Sequence, residues 1–333
     1  MENPNVNYWC YRIDTSRSSY FMKELQEGRL RQGWGWDVLQ DLRNLKLDQG
    51  AKRNLSMFRK VKKGDILLIP RLPFSDDVAL VRATEDWDKG YQFEIDEELK
   101  DYGHIFPAIY LKSFKRNNSN CTAQIRATLK NIQRFWNIKS LGKDVENLLI
   151  AKETELQTRQ NHNSRFKNSI ESIFKQTFNE NEFSELFYEK LTKDFTNEEW
   201  EYAIVQGLQK LYPYFEISRA GGITEAKHGT DILIKIPSLI PNSTYGIAIQ
   251  VKDYSNIVGN EVISQINKSR LYWEKENIII IDKIVIVTKA KKGDNISLAN
   301  QDLSVNFIFT NDFRDLMLQI GKKYVSDFLR INY

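Results

Sequence analysis

Gly229-Thr230-Asp231-Ile232-Leu233-Ile234-Lys235-Ile236 and, after a connector of residues 237 to 244, Tyr245-Gly246-Ile247-Ala248-Ile249-Gln250-Val251-Lys252 decide the reading of the C-terminal half. Both are short, rich in β-branched residues and bounded by turn formers, so both read as strands. Side chains alternate faces along a strand. Gln250 and Lys252 therefore share one face while Ile247, Ile249 and Val251 fill the other. Asp231 opens its strand, and Ile232, Ile234 and Ile236 point away from it. A hairpin through the connector brings Asp231 near Gln250. A carboxylate, an amide oxygen and an ammonium then converge at the edge of an otherwise apolar sheet. That set suits a hard divalent cation, which takes oxygen ligands, with a lysine beside it to position or polarise a water. The plain alternative is an aspartate favoured by the turn after Gly229-Thr230, with Gln250 and Lys252 on a solvated strand edge.

Working outward, Thr196-Asn197-Glu198-Glu199 has the form of a capped helix start. Apolar residues then recur at helical spacing at Trp200, Ala203, Ile204, Leu208 and Leu211. Beyond the two strands, 261–273 reads as a helix, 278–288 and 305–309 as strands, and 312–320 as a further helix. Residues 196–333 thus form an α/β unit. Placed on these elements, Gly229-Thr230-Asp231 and Gln250-Val251-Lys252 resemble the PD-(D/E)xK nuclease signature in its Mrr-like restriction endonuclease form, where glutamine commonly replaces the acid before x-Lys. The resemblance covers roughly residues 196 to 310 and implies an αβββαβ core and Mg²⁺-dependent phosphodiester hydrolysis, with Mn²⁺ also accepted. It implies that Asp231 and Gln250 bind the metal, with the backbone carbonyl of Val251 a further ligand. Lys252 would orient the attacking water. Trp200-Glu201 matches the family's helix bearing an acid after an aromatic, so Glu201 would bind metal through water or hold Lys252. The sequence departs from the pattern in the turn Gly222-Ile223-Thr224-Glu225-Ala226-Lys227-His228-Gly229, where Glu225 is either an added ligand or a loop charge.

Residues 1–138 read as an aromatic-rich α+β unit. Tyr8-Trp9-Cys10-Tyr11-Arg12 suits a first strand, Ile66-Leu67-Leu68-Ile69 a second after the turn Lys63-Gly64-Asp65, and 78–83 its partner. Residues 21–25 and 37–47 read as short helices. Tyr8-Trp9, Gly33-Trp34-Gly35, 57–61 and Lys63-Gly64-Asp65-Ile66-Leu67 resemble the PUA-like superfamily, especially its EVE and YTH branches: a small β-barrel or sheet with helices. That resemblance implies an aromatic-walled pocket for a flipped or modified base, with Trp9, Trp34, Trp36 and Trp87 as candidate walls and Asp37 or Asp14 bonding a base edge. Aromatic stacking is worth about 1–3 kcal/mol per base. Each tryptophan has the alternative of completing a small core.

Between the two units, 139–195 reads as a helical connector, with helices at 144–159, 165–174 and 182–192 and a hinge at the polar tract 157–164. The 333 residues are 41% apolar and 28% charged, with no apolar run long enough to span a membrane. The opening MENPNVNYWCYRID has no basic-then-apolar leader pattern, and Cys10 and Cys121 supply neither a zinc site nor a disulfide framework, so a reducing cytoplasm is the expectation. Net charge is only +4, but residues 102–143 carry eight Lys or Arg and no carboxylate. Such a stretch fits either a polyanion-contacting surface or a solvated face. His228 and the cluster 289–292 are further phosphate-contact candidates with ordinary turn roles as alternatives. Together the two resemblances imply a modification-dependent, type IV-like endonuclease acting on modified double-stranded DNA in defence against phage. Two active sites for a double-strand cut imply a homodimer. A catalytically silent nucleic-acid scaffold, or a nuclease switched on by a small nucleotide in the N-terminal pocket, are the competing functions.

Overall fold

The computed structural model describes residues 6–97, 99–174, 180–222 and 224–332; of the turn at 222–229, Ile223 lies outside them. The chain divides into two units, Met1–Gln160 and Asn161–Tyr333. The division falls inside the polar tract read above as a hinge.

In the first unit β1 (Tyr8–Tyr11), β2 (Arg29–Gln32), β3 (Ile66–Pro70), β4 (Asp77–Ala83), β5 (Gln92–Phe93), β6 (His104–Lys115) and β7 (Phe135–Asn137) form one sheet. The order is β2-β6-β4-β3-β1-β7, with β5 also on β6. β1 and β3 run parallel, and the other pairs are antiparallel. β3 is buried at every position because its alternate residues serve two cores. Leu67 and Ile69 meet Phe21 and Leu25 of the Ser18–Gln26 helix on one face. Ile66 and Leu68 meet Phe114 and Ile125 on the other. Full burial of each such side chain contributes about 1.5–3 kcal/mol.

Two expected helices are not formed as read. Of 37–47 only the short turn Val38–Gln40 is helical. Asp37 accepts from the amide of Leu39 and Asp41 from that of Arg43, and such local side-chain bonds compete with the helix. The helix expected over 144–159 ends at Ile150, where Ala151 turns to φ −57°, ψ 145°. There Lys112 Nζ donates to the carbonyls of Leu149 and Ala151 at 2.5 and 2.7 Å, and a single turn, Glu153–Leu156, follows. The stretch 139–195 is shared between the units: Val145, Leu148 and Leu156 join the first unit's core. Phe166, Ile170, Phe187 and Leu191, on the His162–Phe174 and Glu180–Asp194 helices, join the second's.

The second unit is built on β8 (Glu216–Arg219), β9 (Ile232–Pro237), β10 (Thr244–Lys252), β11 (Ile278–Val287) and β12 (Asn306–Ile308), in sheet order β12-β11-β10-β9-β8. β8, β9 and β10 are antiparallel neighbours, while β11 and β12 continue parallel to β10. A parallel step requires a crossover, and the Glu261–Glu274 helix provides it between β10 and β11. With the Glu198–Leu211 helix ahead of β8, and setting aside the single helical turn Glu225–His228 between β8 and β9, the element order is αβββαβ. Ile232, Ile234, Ile249 and Val251 pack on Trp200, Ala203 and Ile204 of that first helix. Ala248, Val285 and Val287 face Val262, Ile263 and Ile266 on the opposite side. Only half of the expected capping box forms: Glu199 Oε2 accepts from the Thr196 amide at 3.3 Å, and Asn197, at φ +46°, caps with no side-chain bond. Among the described residues no helix is long and apolar enough to cross a membrane.

Candidate active site

Asp231 stands one residue before β9, opposite 249–251 of β10. Its amide donates to the Ile249 carbonyl at 2.8 Å, and its own carbonyl accepts from Ala220 and Gly221. Its carboxylate replaces a backbone carbonyl in the ladder: Oδ2 accepts from the Val251 amide at 2.7 Å. Among the described residues Oδ1, which is buried, has no hydrogen-bond partner. Gln250 is fully buried; its Nε2 donates to Gln265 Oε1 at 2.8 Å, and its buried Oε1 likewise has no partner among the described residues. Lys252, on the same strand face, lies 3.8 Å from Glu225 Oε1. From the Glu198–Leu211 helix, Glu201 reaches the same place. A Cβ at Gly221 would sit 2.9 Å from Glu201 Oε2 and 3.3 Å from Asp231 Oδ1, so the two carboxylates flank a space that only glycine leaves open.

The electrostatics of this arrangement are unbalanced. Burial, reinforced by the charges of Glu201 and Glu225, drives the Asp231 carboxyl well above the ordinary carboxylate range, against the Val251 amide and Lys252. Burial also raises Glu201, opposed by Arg219, whose Nε donates to Oε2 at 2.7 Å. Crowded carboxylates in a low dielectric hold their charge only with a cation among them. Among the described residues no three His, Cys, Asp or Glu side chains form a metal cage by themselves. An ion here would need the amide oxygen as well. The two orphaned oxygens and the open cradle at Gly221 fit a divalent cation on these terms.

The sequence reading missed Arg219, at the end of β8, and Gln265, on the crossover helix. Alternation along β8 and the helical face of 261–274 are the signals that would have found them. Glu225 is the counter-ion of Lys252 in this arrangement. His228 is a buried turn residue whose Nδ1 accepts from the Thr230 amide at 3.1 Å. Lys289 pairs with Asp253 at 2.9 Å.

In the first unit the four candidate tryptophans separate into two classes. Trp9 stacks on Phe135 at 4.7 Å and donates to Asp65 Oδ2, and Trp87 stacks on Phe106 at 4.5 Å and donates to the Pro107 carbonyl. Both are core residues, because each ring is packed and each indole N–H already has an acceptor. Trp36 is 49% exposed. Trp34 is half-buried at φ +64°; its amide donates to Asp101 Oδ1 and its carbonyl accepts from His104 Nε2. The guanidiniums of Arg134 and Arg53 lie 4.0 and 4.9 Å from its ring. Gly35 permits the close backbone pairing with Gly103 that staples this loop, since a Cβ there would meet the Gly103 amide at 2.9 Å. Asp37 is committed to capping, and Asp14 to Ser16 and Tyr102. Around Gly33-Trp34, among the described residues, the buried atoms Gln32 Nε2 and Asn54 Oδ1 lack a hydrogen-bond partner, and Tyr11 Oη lies against the Arg134 guanidinium outside close hydrogen-bonding geometry. Gln32 and Asn54 bond the Gly33 peptide through their other amide atoms, and Tyr11 interacts with Arg134.

The chain matches no model of a known protein family and no curated protein. Among solved structures it is similar to restriction endonuclease FokI at a TM-score of 0.30 and 11% identity, over 55% of this chain and 38% of that one. It is also similar to MspJI restriction endonuclease in complex with a 27-mer oligonucleotide, at a TM-score of 0.25 and 11% identity, over 90% and 70% of the two chains. The match thus spans well under half the length of the first.

Proposed function

We propose that the chain is a metal-dependent DNA endonuclease directed by base modification, cytoplasmic and of the type IV restriction kind, used in defence against phage or other foreign DNA. The observation that carries this reading is the pair of buried, unpartnered oxygens, Asp231 Oδ1 and Gln250 Oε1, beside Glu201 and Lys252. Asp231, Gln250 and the Val251 carbonyl would hold Mg²⁺ or Mn²⁺, with Glu201 alongside. When bound, such an ion supplies a Lewis acid for a phosphoryl oxygen and lowers the pKa of water. Lys252 orients the attacking water and offsets negative charge growing on the phosphate. Arg219 restrains Glu201 against Gly221, and Gln265 restrains the Gln250 amide. In the first unit, Trp34 and Trp36 remain as the tryptophans able to meet a base, and the mixed donors and acceptor around Gly33-Trp34 suit a base edge. A double-strand cut calls for two such sites, hence a homodimer on modified duplex DNA.

The test is cleavage of matched plasmids, unmodified, 5-methylcytosine-bearing and glucosyl-hydroxymethyl-bearing, with Mg²⁺ and with EDTA. Cutting is expected on a modified plasmid with Mg²⁺ alone, and Lys252→Ala is expected to remove it by at least roughly 10²–10³-fold in rate with the fold intact. A Lys252→Ala protein that cuts at the wild-type rate overturns the assignment.

A further inference from the structure

Asp231, Gln250 and Lys252 stand on or beside the central strands, whereas Glu201 reaches them from the Glu198–Leu211 helix. Its carboxylate is fixed by contacts that lead back to the start of the second unit. Arg219 Nε donates to Glu201 Oε2 at 2.7 Å, and Arg219 Nη1 donates to the Tyr202 hydroxyl at 3.2 Å. The third guanidinium nitrogen, Nη2, lies 3.8 Å from Glu198 Oε2. Residues 198, 201 and 202 are spaced i, i+3 and i+4, so Arg219 lies across a single face of the helix. Its guanidinium carbon is 4.7 Å from the centre of the Tyr202 ring, close enough for a cation–π contact.

The Tyr202 ring is in turn stacked on the imidazole of His162, with centroids 4.3 Å apart and planes 8° from parallel. One turn along, Arg165 Nη1 donates to Glu199 Oε1 at 2.7 Å, and both side chains are buried. His162 and Arg165 are three residues apart, as are Glu199 and Tyr202, so the two contacts together set the register of one helix on the other.

His162 opens its helix, directly after the division between the units. Gln160, two residues earlier, belongs to the first unit, where its amide donates to the Asn117 carbonyl at 2.9 Å. Asn118 Nδ2 holds the nearby carbonyls of Glu155 and Thr158 at 2.7 and 2.8 Å. The chain thus passes within two residues from a fixed point of the first unit to the ring that backs Tyr202.

We propose that Tyr202 and His162 are positioning residues of the candidate active site. Their stacked rings form the platform that seats Arg219, and through Arg219 they hold Glu201 beside Asp231, where a divalent cation would be met. This rests on the metal-dependent reading above and adds that the site is braced from the junction between the units. Partners that orient a metal-binding group from behind are worth about 10–100-fold in metal affinity or activity.

The test titrates Mn²⁺ into the full chain without DNA at pH 8, where an ordinary histidine is neutral, and reads the free ion by its electron paramagnetic resonance signal. The thermal midpoint of each variant in EDTA certifies folding. Tyr202→Ala is expected to bind Mn²⁺ about tenfold more weakly, and His162→Ala, one contact further out, about threefold. Tyr202→Phe, which keeps the ring and loses the hydroxyl, should fall between wild type and Tyr202→Ala. His162→Phe, which keeps a ring to stack, should return to wild type. Should Tyr202→Ala fail to fold, the His162 pair decides, because that half-buried side chain stands at a helix start. Wild-type Mn²⁺ affinity in the folded alanine variants, whatever their midpoints, makes the rings structural and overturns the proposal while leaving the nuclease reading standing. A His162→Phe protein as weak as His162→Ala overturns the stacked platform. A wild-type protein that binds no Mn²⁺ overturns both this proposal and the metal-dependent reading.

Discussion

The β9–β10 end of the second unit and the Trp34 loop of the first both bury polar atoms without partners, but they bury different kinds. At Asp231 and Gln250 the orphans are oxygens, in a field already negative from Glu201 and Glu225. Around Trp34 they are Gln32 Nε2 and Arg134 Nη1, which can only donate, Tyr11 Oη, which can donate or accept, and Asn54 Oδ1, which accepts. A buried polar group left unpaired costs on the order of 1–3 kcal/mol, more when charged. Each set therefore specifies what would relieve it. The first calls for a cation, the second for a neutral group with acceptors and a donor on its edge. The contrast also separates the roles that the two units play in the proposed function.

Asp231→Asn strikes that contrast hardest. Asparagine keeps an oxygen to accept from the Val251 amide and replaces a carboxyl that burial, Glu201 and Glu225 keep from ionising. Cleavage should fall by at least roughly 10²–10³-fold, while the thermal midpoint in EDTA should hold or rise, since the free-energy cost of holding that carboxyl protonated near neutrality is gone. A midpoint that drops by many degrees would make Asp231 a structural turn residue and remove the distinction between the two regions.

Next in size is the difference within the tryptophans. Trp87→Ala should cost roughly 3–5 kcal/mol of stability, as expected for a fully buried ring stacked on Phe106. Trp36→Ala, half exposed, should stay within about 0.5 kcal/mol of wild type in the same urea melts. Equal losses at both positions would place Trp36 in the core and leave Trp34 as the single tryptophan able to meet a ligand.

That separation was not legible in the sequence, and the reason is physical. Gln250 and Lys252 lie on a strand with a strict period of two, and Asp231 directly precedes its neighbour. Their shared setting follows from counting, and the strands fall within one residue of where the pattern puts them. A tryptophan's role is decided by what closes over it from elsewhere in the chain. Trp9 is sealed by Phe135, and Trp34 is flanked by Arg53 and Arg134, and no local pattern encodes those meetings. β6 was missed for a related reason: Pro107 interrupts His104-Ile105-Phe106-Pro107-Ala108, and its pairing with β2 and β4 is visible only in three dimensions. The helix expected over 37–47 failed because aspartates that cap so readily also favour turns.

The smallest of the expected effects concerns how the Trp34 loop is held. The Trp34 carbonyl can only accept, so His104 Nε2 carries the proton and Nδ1 accepts from the Tyr91 hydroxyl at 2.7 Å. Burial, reinforced by Arg134 and opposed by the Trp34 carbonyl, pushes the His104 pKa down to about 4. A histidine whose folded pKa is depressed binds fewer protons folded than unfolded between those two values, so stability rises with pH across that window. Its contribution is complete above the unfolded pKa of about 6.5 and is lost as pH falls through about 4, on the order of 3 kcal/mol in all. His104→Gln should therefore be the less stable protein near neutrality, with the gap to wild type in urea midpoints narrowing steadily as pH falls to about 4.5. A gap that stays constant over that range would mean His104 is not buried neutral beneath the loop, and that the Trp34 carbonyl is held by some other donor.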